Sequence, residues 1–224
     1  MPPKTLSPVT VGPARGDDGA DEFWLDYAVK LAWSARRGGR HPFGAVVVAE
    51  DGTVLSTGEN YSAPLHLSSG APTLAKSQSQ TPAVPHPLSS SLRDGTPLPP
   101  APPLLDPAAL PRDATRHAET EAVRLASARF GGDPTHPVLR SATMYVSAEP
   151  CAMCSGATYW SGIGRVVYGI SEERLREITG AENVENETMT VGCRIVLQGG
   201  AKKVEVVGPK VVEGCEDVHD GFWT

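Results

Sequence analysis

His117-Ala118-Glu119 and Pro150-Cys151-Ala152-Met153-Cys154 carry the residue types from which a chemical site can be built. One imidazole and two thiolates are suitable donors for a zinc ion. Three protein ligands leave a tetrahedral zinc with its fourth position open, which is the arrangement of a catalytic site rather than a structural one. Glu119 stands two residues beyond His117 and is not needed as a ligand. It is therefore the candidate for moving protons beside the metal. A lone Cys-x-x-Cys also fits a redox pair or half of a structural zinc site. A redox pair has no use for the His-x-Glu. A structural site needs a fourth ligand at close spacing, and Cys193 and Cys215 lie far downstream without a paired spacing.

The elements that must position these residues follow from the apolar pattern. Asp21 has the character of a helix N-cap, and Phe23, Leu25, Tyr27, Ala28, Leu31, Ala32 and Ala35 follow a helical period up to Gly38-Gly39. Ala45 to Ala49 is a short continuous run rich in valine, as expected of a strand buried on both faces. Asp51-Gly52 turns it into a second strand ending at Asn60. A helix capped by Asp113 or Thr115 carries His117 in its first turn and stops at Gly131-Gly132. Residues 139–147 form a third strand, and Pro150 leads into a helix from Cys151 to Trp160. Arg165 to Ile170 is a fourth strand, and Ser171 caps a short helix to Ile178. Met189 to Leu197 reads as a helix, and Val204 to Val207 as the fifth strand. Helices alternating with strands, with an antiparallel pair at the start, specify an α/β fold: a mixed sheet with helices on both faces.

Two cysteines and a histidine on separate helix starts would converge on one ion. Residues three apart share a helical face, and the positive end of the helix favours thiolate over thiol.

Composition sets the outer limits. The 224 residues suffice for one domain with a substantial core, expected over 21–224 behind a loose tail at 1–20. Residues 62–112 hold 12 of the 21 prolines and little periodicity, so they read as a largely disordered insert, with 101–110 able to dock. A net charge of −6 argues against a nucleic-acid partner, which requires basic surface. No apolar run reaches the length of a membrane span, and the N-terminus lacks the apolar stretch of a secretory signal. Four cysteines in a chain of this length do not form a disulfide scaffold, so the expected setting is the reducing cytoplasm.

The two motifs together match the signature His-x-Glu…Pro-Cys-x-x-Cys of zinc deaminases. From about Asp21 to Val207 the chain resembles the cytidine-deaminase-like superfamily. The resemblance implies a three-layer α/β/α sandwich around a five-stranded mixed sheet, with Zn2+ held by His117, Cys151 and Cys154. It implies hydrolytic deamination of an aminated ring, with Glu119 carrying protons to the ring nitrogen and the departing amine. His41-Pro42-Phe43-Gly44-Ala45 and Tyr159-Trp160 resemble the guanine deaminase branch, which implies a free base or nucleoside as substrate, guanine first, and a homodimer. Asn60 matches the asparagine that hydrogen-bonds the base in these relatives, although an asparagine at a strand end is also an ordinary turn former. Phe43 is a candidate to line the pocket, with a core aromatic as the ordinary alternative, and Ala118 is a further substrate-binding candidate. Glu173, or its neighbour Glu172, falls where an acid can read the purine edge. Asp220 and the terminal Phe222-Trp223 fit a C-terminal lid or a packing contact on the domain's own surface. Cytosine, another aminated heterocycle and a tRNA adenosine stay open as substrates. A non-catalytic, zinc-stabilised interaction module is the alternative of a different class.

Overall fold

The computed structural model describes residues 10–62, 88–100 and 113–223. Its order is α1 (Ala20–Arg37), β1 (Gly44–Val48), β2 (Val54–Glu59), α2 (Ala118–Arg129), α3 (Pro137–Ser141), β3 (Thr143–Ala148), α4 (Ala152–Ser161), β4 (Arg165–Ile170), α5 (Glu172–Thr179), α6 (Cys193–Gln198) and β5 (Glu205–Val207). A 3-10 turn at Asp217–His219 follows. The five strands lie in the order β2-β1-β3-β4-β5. β1 is antiparallel to β2 and to β3, and β3, β4 and β5 run parallel.

The alternation of β1 explains the layers. Ala45 and Val47 pack with Met144, Val146 and Val166 under α2, α4 and α6. Val46 and Val48 point the other way and pack with Tyr145 and Val167 under Trp24, Leu25, Tyr27 and Leu31 of α1. Every residue of β1, β3 and β4 is buried, as the continuous apolar runs require of strands covered on both sides. The expected α/β/α sandwich around a five-stranded mixed sheet is what the chain forms.

Several boundaries differ from expectation for local reasons. Gly19, in a left-handed conformation, precedes α1, and Asp21 sits inside the first turn rather than capping it. Its carboxylate is engaged elsewhere: it accepts from Arg165 Nη1 and Nη2 at 2.8 and 2.9 Å and from the Tyr145 hydroxyl at 3.1 Å. The expected third strand begins with the short helix α3, because Pro137 at a helix start favours the turn. Helix α6 is shorter than expected and starts at Cys193.

The loose tail expected over 1–20 does not reach Ala20. Thr10 O accepts from Val54 N at 2.9 Å, Gly12 N donates to Gly52 O at 2.9 Å, and Trp24 Nε1 donates to Pro13 O at 2.9 Å. Within the proline-rich stretch, residues 88–100 are ordered against the domain. Leu98 is buried in the α2-side core, and the buried Arg129 donates to the carbonyls of Leu55 and Ser89 at 2.8 and 2.5 Å and of Pro99 at 3.1 Å. The docking expected over 101–110 lies outside the described residues.

Among the described residues no helix is long and apolar enough to cross a membrane.

Asp21 joins the start of α1 to β4 through the buried Arg165, whose guanidinium holds the Asp21 carboxyl below its ordinary value. A carboxylate with a lowered folded pKa contributes stability above its unfolded value of about 3.9, and loses it as pH falls through the lower folded value. Asp21→Asn should cost about 1–2 kcal/mol, since Arg165 keeps Glu205 but loses a charged partner. The midpoint of thermal unfolding at pH 7 should drop by roughly 2–6 °C, and the difference from the unmodified protein should shrink below pH 3. An unchanged midpoint at pH 7 would contradict this role.

Candidate metal centre

Helices α2 and α4 begin at one place, beyond the ends of β2 and β3. The close approach is set by Gly58 in β2, where a Cβ would lie 1.9 Å from Ala118 O. No larger residue fits there without moving the start of α2. His117 is the N-cap residue of α2 and Cys151 that of α4, both in extended conformation, and neither side chain caps its own helix. His117 thus stands one step before the helix rather than in its first turn, and Asp113 accepts from Thr115 N at 2.8 Å in a turn of its own.

His117 Nδ1 lies 3.8 Å from Cys151 Sγ and 3.6 Å from Cys154 Sγ. A tetrahedral zinc with Zn–S of about 2.3 Å and Zn–N of about 2.0–2.1 Å sets N···S edges at about 3.6 Å. The three donor atoms, all within 4.8 Å of one another, therefore fit a zinc ion. His117, Cys151 and Cys154 are the residues that would hold it, and bound zinc supplies Lewis acidity that activates water near neutral pH.

The electrostatics of the donor set suit this role. The Cys154 thiol donates to Cys151 and lowers its pKa to about 4, against the cost of burial, with His117 adding to the effect. Cys151 is thus held toward the thiolate, and a zinc ion bound here would take the place of the proton on Cys154. Cys193 and Cys215 are buried away from this cluster, with burial raising both thiols.

Glu119 occupies the second position of α2 and is buried. Burial pushes its carboxyl up to about 7, partly offset by His117. A carboxyl near 7 can both take and give a proton at neutral pH, as a proton carrier must. Of the two acids in α5, Glu172 turns inward and Glu173 is exposed. Burial raises Glu172 to about 8, with the negative charge of Cys151 and Glu119 adding to it. Glu172, Leu175 and Thr179 are the buried residues of this helix, so the spacing around Leu175 was the signal that separates the two acids.

Glu149 was not singled out by the sequence. Its carboxylate accepts from Glu172 N at 3.0 Å and from Cys193 N at 2.8 Å, which joins the starts of α5 and α6 to the segment entering Cys151.

Asn60 and Ala118 are buried, and Ala118 directly follows His117. Tyr61 N donates to Arg116 O at 2.8 Å, which fixes the end of β2 next to His117. Phe43 packs on the domain core, and its ring lies 5.4 Å from that of His219 and 6.0 Å from that of Trp223. Phe222 and Trp223 fold back on His41 with ring separations of 6.0 and 5.2 Å. The terminal aromatics thus pack on the domain's own residues. Asp220 is exposed and joins this region through its carbonyl, which accepts from Arg36 Nη2 at 2.6 Å. Tyr159 is partly buried against the core and takes Lys202 N on its hydroxyl at 3.2 Å, whereas Trp160 is 77% exposed.

The match to a family model agrees with this geometry. Residues 19–170 match the model described as the cytidine and deoxycytidylate deaminase zinc-binding region. The chain is 32% identical over 203 residues to a probable cytosine deaminase of Schizosaccharomyces pombe, covering 91% of this chain and 92% of that protein. It is 26% identical over 157 residues to a tRNA-specific adenosine deaminase of Buchnera aphidicola, covering 70% of each. Its fold is that of the guanine deaminase of Nitrosomonas europaea, with a TM-score of 0.58 at 19% identity, covering 97% of this chain and 88% of the other. The chain belongs to the zinc-binding cytidine and deoxycytidylate deaminase family, whose members are hydrolytic enzymes acting on C–N bonds.

Purified protein should contain about one zinc per chain, and Cys151→Ser and Cys154→Ser should each lower zinc affinity by at least about tenfold. Elemental analysis after dialysis against a mild chelator reads this directly. Full zinc retention in either variant would remove that cysteine from the ligand set.

Proposed function

We propose that the protein deaminates a free nucleobase or nucleoside hydrolytically, with guanine as the first substrate and xanthine and ammonia as products. The observation that carries the reading is the buried, unligated Glu119 beside three convergent zinc donors. A purely structural metal centre has no use for a carboxyl held near 7 at that point. Glu119 would take a proton from water and return protons first to the ring nitrogen and then to the leaving amine. Burial excludes bulk water and keeps the carboxyl poised between its two states.

The choice of guanine rests on the His41-Pro42-Phe43-Gly44-Ala45 turn and on the terminal aromatics packed against it. The likeness to guanine deaminase structures supports it as a fold. Cytosine is the second reading, favoured by the 32% identity to a probable cytosine deaminase over nearly the whole chain. The net charge of −6 supports a small substrate over a tRNA. We also place the enzyme in the cytoplasm as a homodimer, on the strength of the free cysteines and of the family likeness.

Zinc-loaded protein should release ammonia from guanine faster than from guanosine, cytosine or adenine, as read by ultraviolet absorbance and an ammonia assay. Faster turnover of cytosine would replace guanine as the substrate, and no release from any of the four would sink the small-base reading. Glu119→Ala should keep its zinc and lose about 10²–10⁴-fold in kcat. Loss of zinc in that variant would mean that Glu119 is a ligand.

A further inference from the structure

A chain of buried polar groups leads to Asn60 from the far side of the β1 entry. Asn60 Oδ1 accepts from Ser62 N at 2.8 Å and from Ser62 Oγ at 2.6 Å. Ser62 Oγ also lies 3.1 Å from His41 Nδ1, and His41 Nε2 lies 3.1 Å from Glu185 Oε1. The Glu185 side chain is 5% exposed and that of His41 12%. The rings of Phe222 and Trp223 lie against the imidazole.

Donor and acceptor capacity fixes the direction of this chain. The Ser62 backbone N–H can only donate, so the Asn60 side-chain oxygen, not its nitrogen, faces Ser62. The Ser62 hydroxyl has one proton, and a carbonyl oxygen at 2.6 Å takes it. Ser62 Oγ can then only accept from His41, so Nδ1 carries a proton, and Nε2, facing the Glu185 carboxylate, carries the other, which makes the ring an imidazolium paired with Glu185. Both lone pairs of Asn60 Oδ1 are occupied, and among the described residues its amide nitrogen meets no acceptor.

We propose that His41 and Ser62 are positioning residues that present Asn60 to the substrate as a hydrogen-bond donor only. The site would accordingly select a ring bearing an acceptor, a carbonyl oxygen or an unprotonated ring nitrogen, at the edge facing Asn60. This rests on the reading that a small aminated ring binds beside His117. The placement of Asn60 supports it: Tyr61 is bonded to Arg116, and Gly58 packs against the backbone of Ala118. Glu185 and the terminal aromatics hold the imidazole in place.

The test combines kinetics with a spectroscopic signature. His41→Phe, which keeps a ring but removes the donor, should raise KM for the turned-over base at least tenfold. It should leave kcat within threefold and zinc content unchanged. His41→Asn, whose amide nitrogen can occupy the place of Nδ1, should bring KM back to within threefold of the unmodified protein. Asn60→Asp should bind the base more weakly than Asn60→Ala, because a carboxylate repels an acceptor. An unchanged KM in His41→Phe, no rescue by His41→Asn, or tighter binding by Asn60→Asp than by Asn60→Ala would each overturn the proposal. Nitrogen-15 NMR of labelled histidine reads the relay independently of turnover. A protonated Nδ1 on His41 supports the relay, and an unprotonated Nδ1 overturns it even in an active enzyme. A protonated Nδ1 in a chain that deaminates no base would uphold the relay and sink the small-base reading instead.

Discussion

The structure depends on two helices beginning at one point. An N-terminal helix end presents unpaired N–H groups and partial positive charge, and bringing two such ends together requires anions between them. The Cys151 thiolate supplies one, and a zinc ion held by His117, Cys151 and Cys154 would make the Cys154 sulfur a second. Gly58 permits the approach, because any side chain there would collide with Ala118 O. Glu149 extends the same device to α5 and α6 by accepting from Glu172 N and Cys193 N. The residue that leads into the first cysteine thus also anchors the helix that turns Glu172 toward the site.

The sheet serves this convergence. β3 and β4 run parallel, so α4 and α5 both start at the same sheet end, where Pro150-Cys151 and Ser171-Glu172 follow the strands. Placing functional groups at the carboxyl ends of parallel strands is the general habit of open α/β sheets. α1 and its core of Trp24, Leu25, Tyr27 and Leu31 close the opposite face, tied to β4 through Asp21 and Arg165. That face contributes stiffness to the frame and no ligand to the metal.

Most of this frame is legible in the amino-acid sequence, because its signals are local. The valine run of β1, Arg165 to Ile170 of β4, the spacing of Cys151 and Cys154, and the glycines after α1 and α2 each declare themselves within a few residues. What was not legible depends on partners far away in the chain. Proline content pointed to disorder across 62–112, yet residues 88–100 are held by Arg129, a side chain on a helix beyond them. Asp21 has the composition of a cap but is drawn to Arg165, 144 positions later. Glu173 and Glu172 are adjacent, and only the buried side of α5 separates them. The link from Glu185 through His41 and Ser62 to Asn60 joins residues with no local pattern at all.

The central claim is a zinc held by His117, Cys151 and Cys154 with one position left to a non-protein oxygen and Glu119 outside the coordination shell. X-ray absorption at the zinc edge tests it directly. The account predicts two sulfurs at about 2.3 Å, one imidazole nitrogen and one further oxygen at about 2.0–2.2 Å, with the same shell in Glu119→Ala apart from that non-protein ligand's disorder. A third sulfur, a second imidazole, or loss of an oxygen ligand that tracks the Glu119 carboxylate would contradict it.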